Sequence, residues 1–307
     1  MRAPVAYLPE RDRAADDREI LRFFGDSART FALAARLLPR SARLPVATLY
    51  LYCRTVDEIA DQRPAGIAAA DELADARAAL AATLGGAPPP DGPHALLWNR
   101  LGEVHHATPL DAPALGQLLD GAEWDVQGRP IVDRADLLAY SDLVAGSVGA
   151  MMLSLLVPDD QRRRDLAAPA RALGQAMQVT NVLRDVGEDR DILGRAYLPT
   201  VDLEHYDVDL ASLDGRPLTN YANLCEDLMA LAESLYDEAS SGIDALPVSV
   251  RGSVRAAARM YREILNEVRR ARYDNITRRA VVPLSRRLAA AAGGYEGRRA
   301  RLLVAAR

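Results

Sequence analysis

Residues 49–61 read Leu-Tyr-Leu-Tyr-Cys-Arg-Thr-Val-Asp-Glu-Ile-Ala-Asp, and their periodicity decides how the stretch folds. Tyr50, Arg54, Asp57 and Asp61 recur at steps of four, three and four, which is one face of a helix whose other positions are largely apolar. A second stretch repeats the pattern. Gln178, Asn181, Asp185 and Asp189 recur at steps of three, four and four among Met177, Val179, Val182 and Leu183. Apolar helices belong in a core, so each polar stripe must be satisfied from inside the protein.

Asp57/Asp61 and Asp185/Asp189 each place two carboxylates about one helical turn apart. Hard cations such as Mg2+ take carboxylate oxygens and keep several waters, which leaves positions for phosphate oxygens. Two such pairs facing each other could therefore hold a metal-bridged diphosphate. Spacing alone does not carry this reading, because Asp12/Asp16 and Asp71/Asp75 share it within stretches rich in Arg, Ala, Asp and Glu that read as solvated faces. For the two pairs in apolar company, a structural network of buried Asp and Arg is the alternative.

Working outward, 49% of the 307 residues are hydrophobic, 26% are charged and 5% are aromatic, with Ala, Leu and Arg dominant. Strand formers are scarce and helix formers plentiful, so the fold class expected is all-α. One domain spanning residues 1–307 is expected, with residues 1–15 as a flexible N-terminus. Cys53 and Cys225 stand far apart without a Cys/His cluster, which excludes a disulfide framework and a zinc site and fits a reducing cytoplasm. Residues 1–13 carry Arg2, Glu10, Arg11 and Asp12 where a secretory signal would be apolar. The net charge is −5 and the cations are arginines, so no uniformly basic face for nucleic acid is expected. The arginines of residues 286–307 either touch anionic lipid or form a solvated face.

Helical patterning covers residues 16–38, 42–61, 68–84, 94–106, 112–126, 134–156, 161–190, 218–246, 249–273 and 283–306, with Pro169 expected to kink or split the seventh. The apolar run 137–157 contains Tyr140, Ser141, Asp142 and Ser147 and reads as a buried core helix, not a lipid-facing span. Residues 85–93, GGAPPPDGP, read as a surface loop, and residues 194–214 as a long connection lying over something. His94, His105, His106 and His205 lie outside both stripes, so a hydrolytic triad is unsupported.

These residues carry a resemblance. Tyr52 to Asp61 (YCRTVDEIAD), Tyr140 with Val144-Ala145-Gly146-Ser147-Val148-Gly149, and Gln178 to Pro199 (QVTNVLRDVGEDRDILGRAYLP) resemble the head-to-head isoprenyl diphosphate synthases of the squalene/phytoene synthase family. Ser27-Ala28-Arg29-Thr30-Phe31, Arg36-Leu37-Leu38-Pro39, Met260 to Leu265, Tyr273-Asp274 and Arg278-Arg279 agree in order, so the likeness runs over residues 24–283. It implies a helical bundle around a central cavity, with the acidic stripes facing each other at its mouth. It further implies Mg2+, or Mn2+ in its place, on Asp57, Asp61, Asn181, Asp185 and Asp189. Arg29, Arg54, Gln178, Asn181, Arg184, Tyr197 and Arg278 would hold prenyl diphosphates, and Tyr140 and Tyr261 would guide proton removal or hold the leaving group. Arg54 and Arg184 could instead only neutralise neighbouring Asp, and Tyr261 could be a core aromatic. Phe31, Ala35, Val144, Ala145 and Gly149 would line the cavity, although Gly146 and Gly149 suit close helix packing equally. Residues 194–214, with Arg195 and Tyr197, would cap the cavity or simply pack as a surface loop.

The activity implied is condensation of two geranylgeranyl diphosphates to phytoene through a cyclopropyl diphosphate. Small Ala34 and Ala35 one turn beyond Phe31, and the Asp185-to-Pro199 block, favour the longer substrate. Asp142 pulls the other way, standing where phytoene synthases more often have an aromatic residue. The alternatives are a squalene, presqualene diphosphate or dehydrosqualene synthase using farnesyl diphosphate, and a non-catalytic helical partner that would release no diphosphate. NADPH is not expected for phytoene formation, and no GxGxxG fingerprint is present. Cytoplasmic placement with peripheral contact to the inner membrane face is expected from so apolar a product, and the oligomeric state is left open.

Overall fold

Helical spacing of apolar residues runs through nearly every segment, and the chain builds no sheet. A computed structural model of the chain describes residues 13–61, 67–88, 92–215 and 218–293, and no strand occurs among them. The helices are α1 (Arg13–Ser27), α2 (Arg29–Ala35), α3 (Arg40–Ala60), α4 (Ile67–Leu84), α5 (Ala95–Ala107), α6 (Ala112–Val126), α7 (Arg134–Ser141) and α8 (Ser147–Leu156). There follow α9 (Asp160–Arg184), α10 (Val186–Glu188), α11 (Thr200–His205), α12 (Thr219–Ala245), α13 (Val248–Arg270) and α14 (Leu284–Ala291). π-helical turns occupy Asp142–Gly146 and Asp189–Leu193.

α9 is the centre of the bundle, packed by α8, α12, α13 and the first π turn. Its apolar face, including the fully covered Val179 and Leu183, joins Leu224, Leu228 and Met229 of α12 and Leu265 of α13 in one core. Each such Leu contributes about 1.5–3 kcal/mol by leaving water. A second core joins Leu73, Ala76 and Leu80, before the 85–93 loop, to Leu97, Trp98 and Leu101 after it. That loop therefore divides no core.

The structure departs from the sequence pattern in several places; the helix expected over 283–306, for one, ends at Ala291, and residues 294–306 lie outside the described part. Helix 16–38 is broken at Ala28, where φ −102° and ψ 49° leave the helical region. Residues 13–15, expected to be flexible, belong to α1, because buried Arg100 holds the Arg13 carbonyl at 2.8 Å and Asp17 at 2.6 Å; residues 1–12 lie outside the described part. Pro169 does not split α9: its ring packs against Gly242 of α12, and Asp165, whose carbonyl loses its helical partner, is exposed to water. Finally, the helix expected over 161–190 ends at Arg184.

Close backbone approach fixes α8 and the first π turn against α9. A Cβ on Gly149 would collide with the Ala170 carbonyl oxygen, and one on Gly174 with that of Ala145. Residues 134–156 are the one candidate among the described residues long and apolar enough to cross a membrane, yet 50% of that window is buried within the bundle.

Candidate active site

α2, α3, α8, α9, α12 and α13 enclose a cavity of about 1450 Å³, counting its open mouth. Phe31, Ala35, Val144, Ala145 and Gly149 all line it, as do Tyr50, Gln178, Asn181 and Tyr261. Phe31 packs on Tyr261 with ring centroids 4.9 Å apart. Gly149 serves both readings offered for it, meeting the Ala170 backbone and facing the cavity. Among the polar groups, Asn181 Nδ2 donates to Gln178 Oε1 at 3.2 Å, while Asn181 Oδ1 is buried with no hydrogen-bond partner. A buried acceptor left this way costs about 1–3 kcal/mol unless something fills it.

Arg195 joins the two acidic stripes. Its amide donates to the Asp189 carbonyl at 2.9 Å, and its guanidinium reaches Asp61 at 3.0 Å and the Ala60 carbonyl at 2.7 Å. Asp57 is 58% exposed in its side chain, yet the protein packed around it and then the charge of Asp61 push its carboxyl up to about 6. Burial, followed by the charges of Asp185 and Glu188 and a smaller one from Asp61, pushes Asp189 up to about 7. Asp71 and Asp75, with the same spacing, stand exposed on α4, as a solvated face requires.

A fifth acid, which sequence spacing did not single out, sits between two tyrosines. Asp125 of α6 accepts from Tyr140 at 2.9 Å and from Tyr197 at 2.7 Å, and the two rings stack at 5.1 Å. Burial raises the Asp125 carboxyl, opposed by Tyr197, Arg195 and Tyr140. The Tyr140 hydroxyl is held well above its ordinary range, chiefly by burial and then by Asp125, so it stays protonated. Position 125 falls three residues after buried Ala122 and seven after Leu118, so a polar residue on the inward face of α6 was the available signal. Residues 194–214 do cross the rim: Gly194 turns with φ 61°, Arg195 and Tyr197 reach inward, and Thr200 and Val201 donate to the Ile131 and Val132 carbonyls.

The arginines divide into groups. Arg54 pairs with Asp57 and Glu58, both at 2.9 Å. Arg184 clasps Asp185 through two bonds, of 2.8 and 2.5 Å, and also hydrogen-bonds Tyr261. Arg279 holds the same Asp185 carboxylate from the other side at 2.7 and 3.1 Å. Arg278, expected at the diphosphate, is 65% exposed and pairs with Asp274 at 3.3 Å. In the turn after α13, Arg272 and Tyr273 adopt left-handed φ of 55° and 62°, and the Thr277 amide donates to Asp274. The Arg29 side chain lies outside the described residues.

No three Asp, Glu, His or Cys side chains converge as a finished metal cage among the described residues. The donor set still fits Mg2+ that takes most of its oxygens from water and a phosphate ligand. Two carboxyls raised by burial and by the acids beside them, and the unpartnered Asn181 Oδ1, are groups a cation would satisfy.

Comparison with known proteins agrees with this arrangement. Residues 24–287 match the family Squalene/phytoene synthase. A phytoene synthase of Rhodobacter capsulatus is 35% identical over 290 residues, covering 88% of this chain and 77% of the relative. One of Thermus thermophilus is 33% identical and covers 91% of this chain and 90% of the relative. A solved dehydrosqualene synthase superimposes with a TM-score of 0.82 at 31% identity, covering 92% of this chain and 96% of that one. A squalene synthase from Alicyclobacillus acidocaldarius, 23% identical with a TM-score of 0.72, shares the fold. An all-α bundle with two acidic stripes meeting at the mouth of an apolar cavity, matched over most of its length, belongs to the squalene/phytoene synthase family of head-to-head isoprenoid prenyltransferases.

Proposed function

We propose that this chain condenses two geranylgeranyl diphosphates to phytoene in a Mg2+-dependent reaction. The observation that carries the reading is the meeting of the two stripes at Arg195, above an apolar cavity whose wall presents an unpartnered Asn181 Oδ1. Asp57, Asp61, Asp185, Asp189 and Asn181 would hold Mg2+, which supplies neutralisation of diphosphate oxygens and so a better leaving group. Arg54, Arg184 and Arg279 offer planar forks to the same oxygens. The apolar walls and the 194–214 segment keep water from the allylic cation. The second substrate's double bond attacks that cation, one proton leaves, and a cyclopropyl diphosphate closes. Loss of its diphosphate, rearrangement and loss of a second proton give the hydrocarbon. The Tyr261 hydroxyl, on the cavity wall beside Arg184, is the group placed to pass a proton from chain to leaving diphosphate.

Twenty-carbon substrates are favoured because the curated relatives named above are phytoene synthases. A thirty-carbon product is the second reading, supported by the dehydrosqualene synthase superposition. Purified protein incubated with Mg2+ and either geranylgeranyl or farnesyl diphosphate, without NADPH, tests both. A forty-carbon hydrocarbon is expected; a thirty-carbon product alone moves the assignment to farnesyl diphosphate, and no diphosphate release from either substrate overturns both. Peripheral contact with the inner membrane face completes the proposal, with exposed Leu284 and Leu288 one turn apart on α14 as its apolar anchor. Sedimentation with anionic vesicles is expected, and protein left wholly in the supernatant overturns it.

A further inference from the structure

α9 ends where the second acidic pair begins, and a residue 92 positions away along the chain makes the ending. In an unbroken helix the Gly187 amide would donate to the Leu183 carbonyl. Here Gly187 donates instead to the main-chain carbonyl of Asn275 at 3.0 Å, while Asn275 Nδ2 donates to the Leu183 carbonyl at 2.5 Å. Asn275 thus occupies both ends of one missing helical hydrogen bond. It is 2% exposed, and its Oδ1 accepts from the equally buried Tyr221 hydroxyl at 2.7 Å, which orients the amide. The next residue closes the wedge, because the Ile276 carbonyl fills the space a Cβ on Gly187 would need.

A side chain inserted into the helical ladder is a direct cause of a break. The residue at the break is Asp185 itself, at φ −110° and ψ 13°. On a continuous helix Asp185 and Asp189 would share one stripe with Gln178 and Asn181. After the break, Asp185 lies between Arg184 and Arg279, while the Asp189 carbonyl is tied to Arg195 and its carboxyl feels Asp61 across the mouth.

We propose that Asn275 is a positioning residue for the second acidic pair: by taking over the Leu183–Gly187 hydrogen bond it fixes how the turn carrying Asp185 and Asp189 is set against the end of α9, and so where a metal-bound diphosphate is held. The proposal rests on the functional reading above. Its test is titration calorimetry of magnesium with inorganic diphosphate into wild type, Asn275→Ala and Tyr221→Phe, together with a crystal structure of metal-free Asn275→Ala. Asn275→Ala removes the donor that holds the Leu183 carbonyl while leaving Gly187 paired with the main-chain carbonyl of residue 275, so the turn at Asp185 should lose its fixed orientation and affinity should fall on the order of 10-fold or more. Tyr221→Phe keeps the wedge but loosens its orientation, so it should shift affinity less in the same direction, and it carries the test should Asn275→Ala fail to fold. A merely structural role would lower thermal stability and leave affinity unchanged. Variants that bind like wild type, or an Asn275→Ala structure in which the Asp185 and Asp189 carboxylates keep their wild-type positions, overturn the positioning role. Wild type that binds no magnesium diphosphate overturns the functional reading instead.

Discussion

Arg195 grips both acidic stripes at once, with its amide 2.9 Å from the Asp189 carbonyl and its guanidinium 3.0 Å from Asp61. One residue of the connecting segment therefore closes the mouth and balances part of its negative charge.

Replacing Arg195 with Met should open that closure. The kcat for hydrocarbon formation should fall on the order of 10-fold, about 1.4 kcal/mol in barrier, and prenyl alcohols formed by water capture should appear beside the hydrocarbon. Product chromatography decides; an unchanged product spread would remove Arg195 from any role in excluding water.

The raised carboxyls predict a pH response of definite sign. Asp57 and Asp189 titrate at about 6 and about 7 in the folded chain, above the ordinary value of about 3.9. Their contribution to stability is complete below the ordinary value and is lost as pH rises through 6 and 7. In chelator, Tm should drop over that interval, and Mg2+ with inorganic diphosphate should restore it at pH 8. The double variant Asp57→Asn, Asp189→Asn should flatten the profile and lose activity; a profile identical to wild type would show that neither carboxyl is raised in the folded chain.

Adjacent arginines should behave unequally. Arg279→Ala removes a fork that meets Asp185 at the mouth, and its KM for prenyl diphosphate should rise about 10-fold or more. Arg278→Ala removes an exposed partner of Asp274 and should leave KM nearly unchanged. Steady-state kinetics in which Arg278→Ala has the larger effect would reverse the assignment.

Glycines on neighbouring elements should differ in sign. Gly174→Ala would drive a methyl into the Ala145 carbonyl and should cost about 1–3 kcal/mol or more. Gly116, inside α6 with open space around it, should gain about 0.5–1 kcal/mol on changing to Ala. Denaturant unfolding of both variants checks the pair, and a stable Gly174→Ala would refute the backbone contact.

What the sequence made legible is what periodicity encodes. The Tyr50–Asp61 and Gln178–Asp189 stripes stood out because polar residues at helical spacing among apolar ones are a local signal, and the expected cavity residues, from Phe31 to Gly149, share the lining of one space. The break at Asp185 was illegible because the intruding Asn275 comes from 92 residues away and its short polar side chain carries no pattern. That Arg279 meets Asp185 while Arg278 meets Asp274 follows a turn holding two left-handed residues, Arg272 and Tyr273, neither of them a glycine that would have marked it in the sequence. Asp125 was a matter of weight: its inward register on α6 could be read, but nothing nearby in sequence named Tyr140 and Tyr197 as its partners.

The main-chain contacts of Gly149 and Gly174 also bear on how such a protein could diversify. On that side the cavity is bounded partly by peptide groups, which offer mutation no side chain to enlarge or trim. α2 and the turn after it present Ala34, Ala35 and Leu38 to the same cavity, any of which can be exchanged for a neighbour in size by a single codon change. Divergence in substrate length within this architecture would therefore accumulate at side-chain positions such as these, and a lineage could lengthen or shorten its product while the backbone contact of its central helix pair stayed fixed.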